Sequence, residues 1–205
     1  MGRSAPHRVP FSPSGTGGTI GTPLIGPPTR SRQKRRTRAL LTLVLGGARS
    51  GKSRYAETLV TELPPPWVYV ATAEAHDAEM AARIAAHRAT RAGGWHTIEE
   101  PLDLPGALTA AGEAPVLVDC LTLWLSNLMF AERDLAAAGT ALRAALTRRR
   151  AATVLVSNEL GLGVVPESAL ARAFRDEAGR LHQALAAQAD RVLFMIAGLP
   201  MKLKG

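Results

Sequence analysis

Leu41-Thr42-Leu43-Val44-Leu45-Gly46-Gly47-Ala48-Arg49-Ser50-Gly51-Lys52-Ser53 is the stretch on which the reading of this chain turns. Residues 41–45 are apolar on alternate and intervening positions alike, as in a strand covered on both faces. Residues 46–53 fit G-x-x-x-x-G-K-[ST], the pattern of a phosphate-binding loop that leads into a helix. The glycines let backbone N–H groups converge on phosphate oxygens, and the helix that follows aims its positive end at them. Lys52 then reaches the terminal phosphates and the Ser53 hydroxyl faces Mg²⁺. Lysine is scarce here, four against 21 arginines, which makes a lysine at this position harder to ascribe to composition. The competing reading is a glycine-rich turn with a solvated lysine.

Outward from the loop, strand and helix alternate. Short apolar runs at 67–71, 116–119, 153–157 and 192–197 read as four further strands. Helical stretches lie between them at 52–62, 78–90, within 123–149 (one or two helices) and at 168–189. This alternation predicts an α/β fold, a three-layer P-loop domain with a mostly parallel central sheet. Ligands of such sheets bind beyond the carboxyl ends of the strands, so the residue after each strand is where chemistry is expected. Asp119 ends the run 116–119 and suits a Walker-B carboxylate that holds the metal; an Asp capping the next helix is the other reading. Cys120 follows and, by strand alternation, belongs on the opposite face as a small core residue.

Composition bounds the rest. The chain has 205 residues, 46% hydrophobic and 20% charged, with a formal net charge of +8. The excess charge is all in residues 1–38, which hold eight Arg or Lys and no acid; residues 39–205 hold 17 basic and 17 acidic residues. With six Pro, six Gly and nine Ser or Thr, residues 1–38 read as a disordered basic extension. A flexible arm, an organelle transit peptide and residues upstream of the functional start are the three readings of it. The Arg35-Arg36 pair before an apolar run mimics an export signal, but cleavage there would destroy the phosphate loop. Residues 39–205 are expected to form the nucleotide-binding domain. Its neutral balance and the chain's nine aromatic residues argue against a nucleic-acid partner. One cysteine excludes an internal disulfide and a zinc module. No run approaches the roughly 20 apolar residues of a membrane span, so a soluble cytoplasmic protein is expected.

Of the five histidines, His87 has the most suggestive setting. Met80, Ile84 and His87 share a helix face at i, i+4 and i+7, with Arg83 one turn before and Arg88 and Arg91 after. A partly buried helix histidine and a nucleophile or phosphate ligand held by arginines are both compatible with that spacing.

Six runs together resemble one family: GGARSGKSRYAE (46–57), YVATAEAHDAEMAARIAAHRATR (69–91), WHTIEEP (95–101), VLVDCLTLWLSNL (116–128), VLVSNELGLGVVPESALARAFRDEAGRLHQ (154–183) and ADRVLFMIAGLPMKLK (189–204). The chain is similar to the bifunctional adenosylcobinamide kinase/adenosylcobinamide-phosphate guanylyltransferases of cobalamin biosynthesis. The resemblance implies a RecA-like P-loop core and a homotrimer. It implies an enzyme that phosphorylates the aminopropanol hydroxyl of adenosylcobinamide with ATP or GTP. The same enzyme then transfers GMP from GTP to adenosylcobinamide phosphate through a GMP–histidine intermediate, giving adenosylcobinamide-GDP.

The family histidine falls on His87, and the phosphate loop on Gly46, Gly47, Ala48, Arg49, Ser50, Gly51, Lys52 and Ser53. Further nucleotide-contacting positions fall on Ala71, Thr72, Ala73, Arg88, Ala89, Thr90, Arg91, Glu99 and Asp119. The metal, Mg²⁺, falls to Ser53 and Asp119, and catalysis to His87 and Lys52. Asn158-Glu159 follows the fourth run; Glu159 reads either as a metal or substrate ligand or as a structural acid. His182 departs from the family pattern, which has Asn before Gln183, and residues 130–150 are where the resemblance is least continuous. Two other functions compete: a small-molecule kinase needing Lys52 and Asp119 but not His87, and a nucleotide-gated binding protein that depends on residues 1–38.

Overall fold

The computed structural model describes residues 40–74, 78, 82 and 93–205. These belong to the unit Thr37–Gly205. The expected extension 1–38 lies outside the described residues, as does most of the expected helix 78–90, of which Ala78 and Ala82 are helical and exposed.

The chain runs β1 (Leu41–Gly46), α1 (Lys52–Thr61), β2 (Trp67–Ala71), β3 (Trp95–Glu99), α2 (Leu104–Ala110), β4 (Val116–Asp119), α3 (Leu121–Phe130), α4 (Leu135–Arg148), β5 (Thr153–Asn158), α5 (Ala169–Gln188), β6 (Arg191–Ile196) and β7 (Leu199–Lys204). The strands form one sheet in the order β3-β2-β4-β5-β1-β6-β7, parallel throughout except for β7 against β6. All six residues of β1 are buried. Leu41, Leu43 and Leu45 pack towards α2–α5, with Leu104, Leu121, Leu142 and Leu185, while Val44 packs towards α1 with Ala56 and Val60. The fold expected from the apolar runs, a three-layer P-loop domain around a mostly parallel sheet, is the fold observed.

Among the described residues, seven strands stand where the apolar runs predict five. β3 is half-exposed and half-polar, and β7 is exposed at every residue, so neither carries the buried signature that marks the others. β7 returns through a two-residue turn, Ala197 and Gly198, with φ of 51° and 80°. Positive φ at both central residues matches the twist of a tight hairpin. Pro200 is tolerated because β7 is an edge strand. The predicted stretch 123–149 resolves into two helices, the second capped by Asp134, which accepts from Ala137 N–H. Asp103 and Ser168 cap α2 and α5 in the same way.

The amino ends of β4 and β5 are held by one side chain. Arg149 donates through Nη1 to the carbonyls of Leu108 (2.6 Å) and Gly112 (3.1 Å), through Nη2 to that of Ala114 (2.7 Å) and through Nε to Thr153 Oγ1 (3.0 Å). One carbonyl of the last turn of α2 and two of the loop after it thereby find a half-buried cation, and burial lowers its pKa against the pull of Glu113.

Candidate active site

The loop after β1 has the shape its sequence predicts. Gly46 has φ +153°, and a Cβ there would stand 2.7 Å from the Met195 carbonyl oxygen, so only glycine lets β1 leave the sheet beside β6. Gly51 has φ +91° and its Cβ position lies 3.2 Å from Gly198 Cα, where the β6–β7 turn closes on the loop. Gly198 N–H donates to the Ser50 carbonyl at 3.0 Å. Gly47, Ala48 and Arg49 are exposed, and Arg49 has φ 56°.

Gly51 is the N-cap of α1, and no side chain caps the helix. The first N–H groups of an α-helix have no intrahelical acceptor, and they carry the positive end of its dipole. Lys52 is buried at 8% exposure and folds its Nζ onto the Gly47 carbonyl at 2.8 Å. Burial lowers its pKa from the ordinary 10.5, against the pull of Cys120 and Asp119. Ser50 Oγ is buried with no hydrogen-bond partner among the described residues, and Ser53 is half-buried in the first turn of α1. A cation, converging N–H groups and two hydroxyls on one concave loop form a receptor for a polyphosphate.

Asp119 ends β4 two strands from β1, and its Oδ2 accepts from the Tyr69 hydroxyl at 3.0 Å. The cap of α3 is Cys120, without a side-chain bond, so the capping reading of Asp119 does not hold. Cys120 does not turn away from Asp119 as strand alternation predicts. The alternation ends with β4, and Cys120 packs with Val44, Ala56 and Tyr69 on the α1 side. Burial, with Asp119 beside it, pushes its thiol pKa up to about 11, so it is protonated and no nucleophile. Among the described residues, no group of three or more His, Cys, Asp or Glu is arranged to hold a metal. The Ser53 hydroxyl and the Asp119 carboxylate are the oxygen donors expected to face a metal here. That sparse, all-oxygen set suits Mg²⁺, which keeps several waters and takes its other ligands from phosphates.

The remaining expected positions lie farther along the same sheet edge. Ala71 and Glu99 are paired at the carboxyl ends of β2 and β3, three and four strands from β1. At about 4.8 Å between strands, those are roughly 14 and 19 Å from Gly46. Glu99 is exposed and Ala73 half-buried. Thr72 is fully buried: its Oγ1 donates to the Cys120 carbonyl (2.7 Å) and accepts from Cys120 N–H (2.8 Å), so it joins β2 to β4. His87, Arg88, Ala89, Thr90 and Arg91 lie outside the described residues. They belong to the connection between β2 and β3, whose anchored ends are at Ala71 and Trp95.

The model of the family described as cobinamide kinase / cobinamide phosphate guanyltransferase matches residues 42–203. The chain belongs to this family. It is 53% identical over 167 residues to the bifunctional adenosylcobalamin biosynthesis protein CobP of Pseudomonas aeruginosa, covering 80% of this chain and 96% of that one. It is 43% identical over 182 residues to CobU of Salmonella typhimurium, also named a bifunctional adenosylcobalamin biosynthesis protein, covering 80% and 100%. A solved protein of Pyrococcus horikoshii OT3 shares the fold with a TM-score of 0.50 at 12% identity, over 82% of this chain and 88% of that one. The expectation of an enzyme of cobalamin biosynthesis, kinase and guanylyltransferase in one chain, is thus met at the level of the family. No helix among the described residues is long and apolar enough to cross a membrane.

Proposed function

We propose that residues 39–205 phosphorylate the aminopropanol hydroxyl of adenosylcobinamide with ATP or GTP and then convert the product to adenosylcobinamide-GDP with GTP. What carries the reading is the phosphate loop itself, with Lys52, Ser53 and Asp119 converging on it inside a chain matched to the family from residue 42 to 203. In the kinase step the substrate hydroxyl attacks the γ-phosphorus, and the bond from γ-phosphorus to the β–γ bridging oxygen breaks. Lys52 and the loop N–H groups hold the charge that moves onto the phosphate oxygens. Ser53 and Asp119 would hold Mg²⁺, directly or through water. Bound there, the ion neutralises phosphate charge and helps align the phosphates.

For the second reaction we infer that His87 is the nucleophile. A neutral imidazole is available near pH 7. Its attack on the α-phosphorus of GTP forms a P–N bond and expels pyrophosphate, whose charge Lys52 can take up. The phosphate of adenosylcobinamide phosphate then attacks that phosphorus and releases the histidine. Arg83, Arg88 and Arg91 supply positive charge where the two anions meet. Ala71, Thr72, Ala73, Ala89, Thr90 and Glu99 are assigned to nucleotide contact by the resemblance alone; for Thr72 only the backbone qualifies, since its hydroxyl is committed to Cys120. We further propose a cytoplasmic homotrimer, with residues 1–38 contributing to neither activity.

The test is labelling with GTP radioactive at the α-phosphate in the presence of Mg²⁺. The wild-type chain is expected to retain label that survives alkali and is lost in acid, and His87→Ala to retain none. A preparation that binds GTP but never labels would leave a kinase whose His87 is ordinary.

A further inference from the structure

A line of buried side-chain hydrogen bonds lies behind the tip of β5, and none of the steps above uses it. Asn158 N–H donates to Thr122 Oγ1 at 2.7 Å. Thr122 Oγ1 and Ser157 Oγ are 3.0 Å apart, and Ser157 Oγ and His182 Nε2 are 2.7 Å apart. His182 Nδ1 then faces Glu159 Oε2 at 3.8 Å. Thr122, Ser157 and His182 are all buried.

One arrangement of protons satisfies the three hydrogen bonds of the line. With a neutral His182 protonated on Nδ1, Thr122 donates to Ser157, Ser157 donates to Nε2, and Nδ1–H points at the Glu159 carboxylate. Burial lowers the pKa of His182 against the pull of Glu159, in keeping with the neutral ring. The line begins at Asn158 and ends on the next residue. Glu159 N–H also donates to the Gly46 carbonyl (3.0 Å), and Glu159 Oε1 accepts from Gly161 N–H (2.6 Å). Glu159 is thus anchored through its backbone N–H and Oε1, with Oε2 facing the imidazole, and the Asn158–Glu159 peptide is fixed to the neck of the phosphate loop.

What these bonds fix is the backbone from which the Asn158 side chain projects. Val154 and Val156 pack on the α1 side and Leu155 on the other, so alternation puts Asn158 on the side of Lys52 and Asp119. β5 lies between the strand that carries the loop and the strand that carries Asp119. In register Asn158 pairs with Gly46, two residues beyond Val156, the partner of Asp119. Its carboxamide is half-buried and makes no hydrogen bond among the described residues. A neutral donor at that place can approach a phosphate without the repulsion a carboxylate would bring.

We propose that the Asn158 carboxamide is a catalytic group of phosphoryl transfer, donating to an oxygen of the triphosphate's terminal phosphoryl, and that Thr122, Ser157, His182 and Glu159 are its positioning residues. No bond to Asn158 forms or breaks. The inference rests on the kinase reading above.

The experiment compares the full chain with Asn158→Ala, His182→Leu and His182→Gln. It measures cobinamide phosphorylation, slow hydrolysis of ATP with water as acceptor, and ATP affinity. Loss of a preorganised donor to transition-state charge costs up to about 100-fold or more in kcat. Asn158→Ala is expected to lose roughly that much in kcat, with ATP affinity held. His182→Leu is expected to lower kcat with KM unchanged, and His182→Gln to restore it, because a glutamine amide can accept from Ser157 and donate to Glu159 together. If His182→Leu does not fold, Ser157→Ala breaks the same line. Asn158→Ala with kcat near wild type overturns the assignment, as does a His182→Leu defect that His182→Gln leaves unrepaired. A wild-type chain that hydrolyses ATP but never phosphorylates cobinamide overturns the kinase reading instead, and the hydrolysis rates still decide Asn158. A wild-type chain that does neither overturns both.

Discussion

The two ends of the central strands treat their polar groups in opposite ways. At the amino end, Arg149 donates to three backbone carbonyls and Thr153, and Asp190 both accepts from Leu41 N–H and donates its own N–H to the Leu41 carbonyl. At the carboxyl end, α1 starts without a side-chain cap, Ser50 Oγ is buried with no partner among the described residues, and Lys52 turns back onto the loop that carries it. A helix N-terminus left uncapped forgoes about 1 kcal/mol, and a buried hydroxyl without a partner roughly as much or more. One end of the sheet is built for stability and the other keeps donors available for phosphate. The contrast predicts that substitutions at the two ends separate cleanly into losses of activity and losses of stability.

The largest effect should come from Lys52→Ala. Removing the cation that faces the transferring phosphoryl should lower kinase turnover by about a thousandfold. Its melting temperature should stay close to wild type, since the lost side chain is a buried charge whose only described hydrogen bond is to the Gly47 carbonyl. Turnover within tenfold of wild type would remove Lys52 from the mechanism. At the other end, Arg149→Met keeps the aliphatic stem but leaves the Leu108, Gly112 and Ala114 carbonyls without their donor. A loss of about 3 kcal/mol is expected in a denaturant titration, with kcat per folded molecule unchanged. An Arg149→Met chain that is as stable as wild type but slow would break the division between the two ends.

The division also explains what the sequence discloses. Phosphate-loop chemistry is written contiguously in residues 46–53, and strands buried on both faces leave apolar runs, so β1, β2, β4, β5 and β6 can be read directly. α5 can be read to its caps because Ser168 and Ala189 bound a long periodic stretch. β7 leaves no such trace: it carries Pro200 and two lysines and buries neither face. α2 is seven residues long and includes Pro105 and Gly106, which oppose a helix reading although Asp103 caps it. The ring behind Asn158 is invisible for another reason. Thr122, Ser157 and His182 lie on three elements and carry no motif between them. Only the packing of α3 and α5 on one face of the sheet brings them into line. The residue they support is still marked by its place, since Asn158 ends β5 and Glu159 follows it at the edge where chemistry is expected.

The smallest expected effect sharpens the comparison at that ring, because it asks whether a stability device sits inside the functional end. Burial holds the folded-state pKa of His182 below the ordinary 6.5, with Glu159 the ionisable group facing it. Below pH 6.5 the unfolded chain takes up a proton on this side chain that the folded chain refuses, so unfolding binds more protons and stability falls as pH falls. The contribution is fully present above pH 6.5 and is lost as pH drops through the lower, folded-state value. Glutamine does not titrate, so His182→Gln should flatten the slope of unfolding free energy against pH just below 6.5 and leave it unchanged above. Denaturant titrations of the two proteins at several pH values measure this. Equal slopes would mean that His182 takes up its proton in the folded chain as readily as in the unfolded one. Its Nε2–H would then donate to Ser157, the order of donors along the ring would reverse, and Thr122 would be left to find another acceptor.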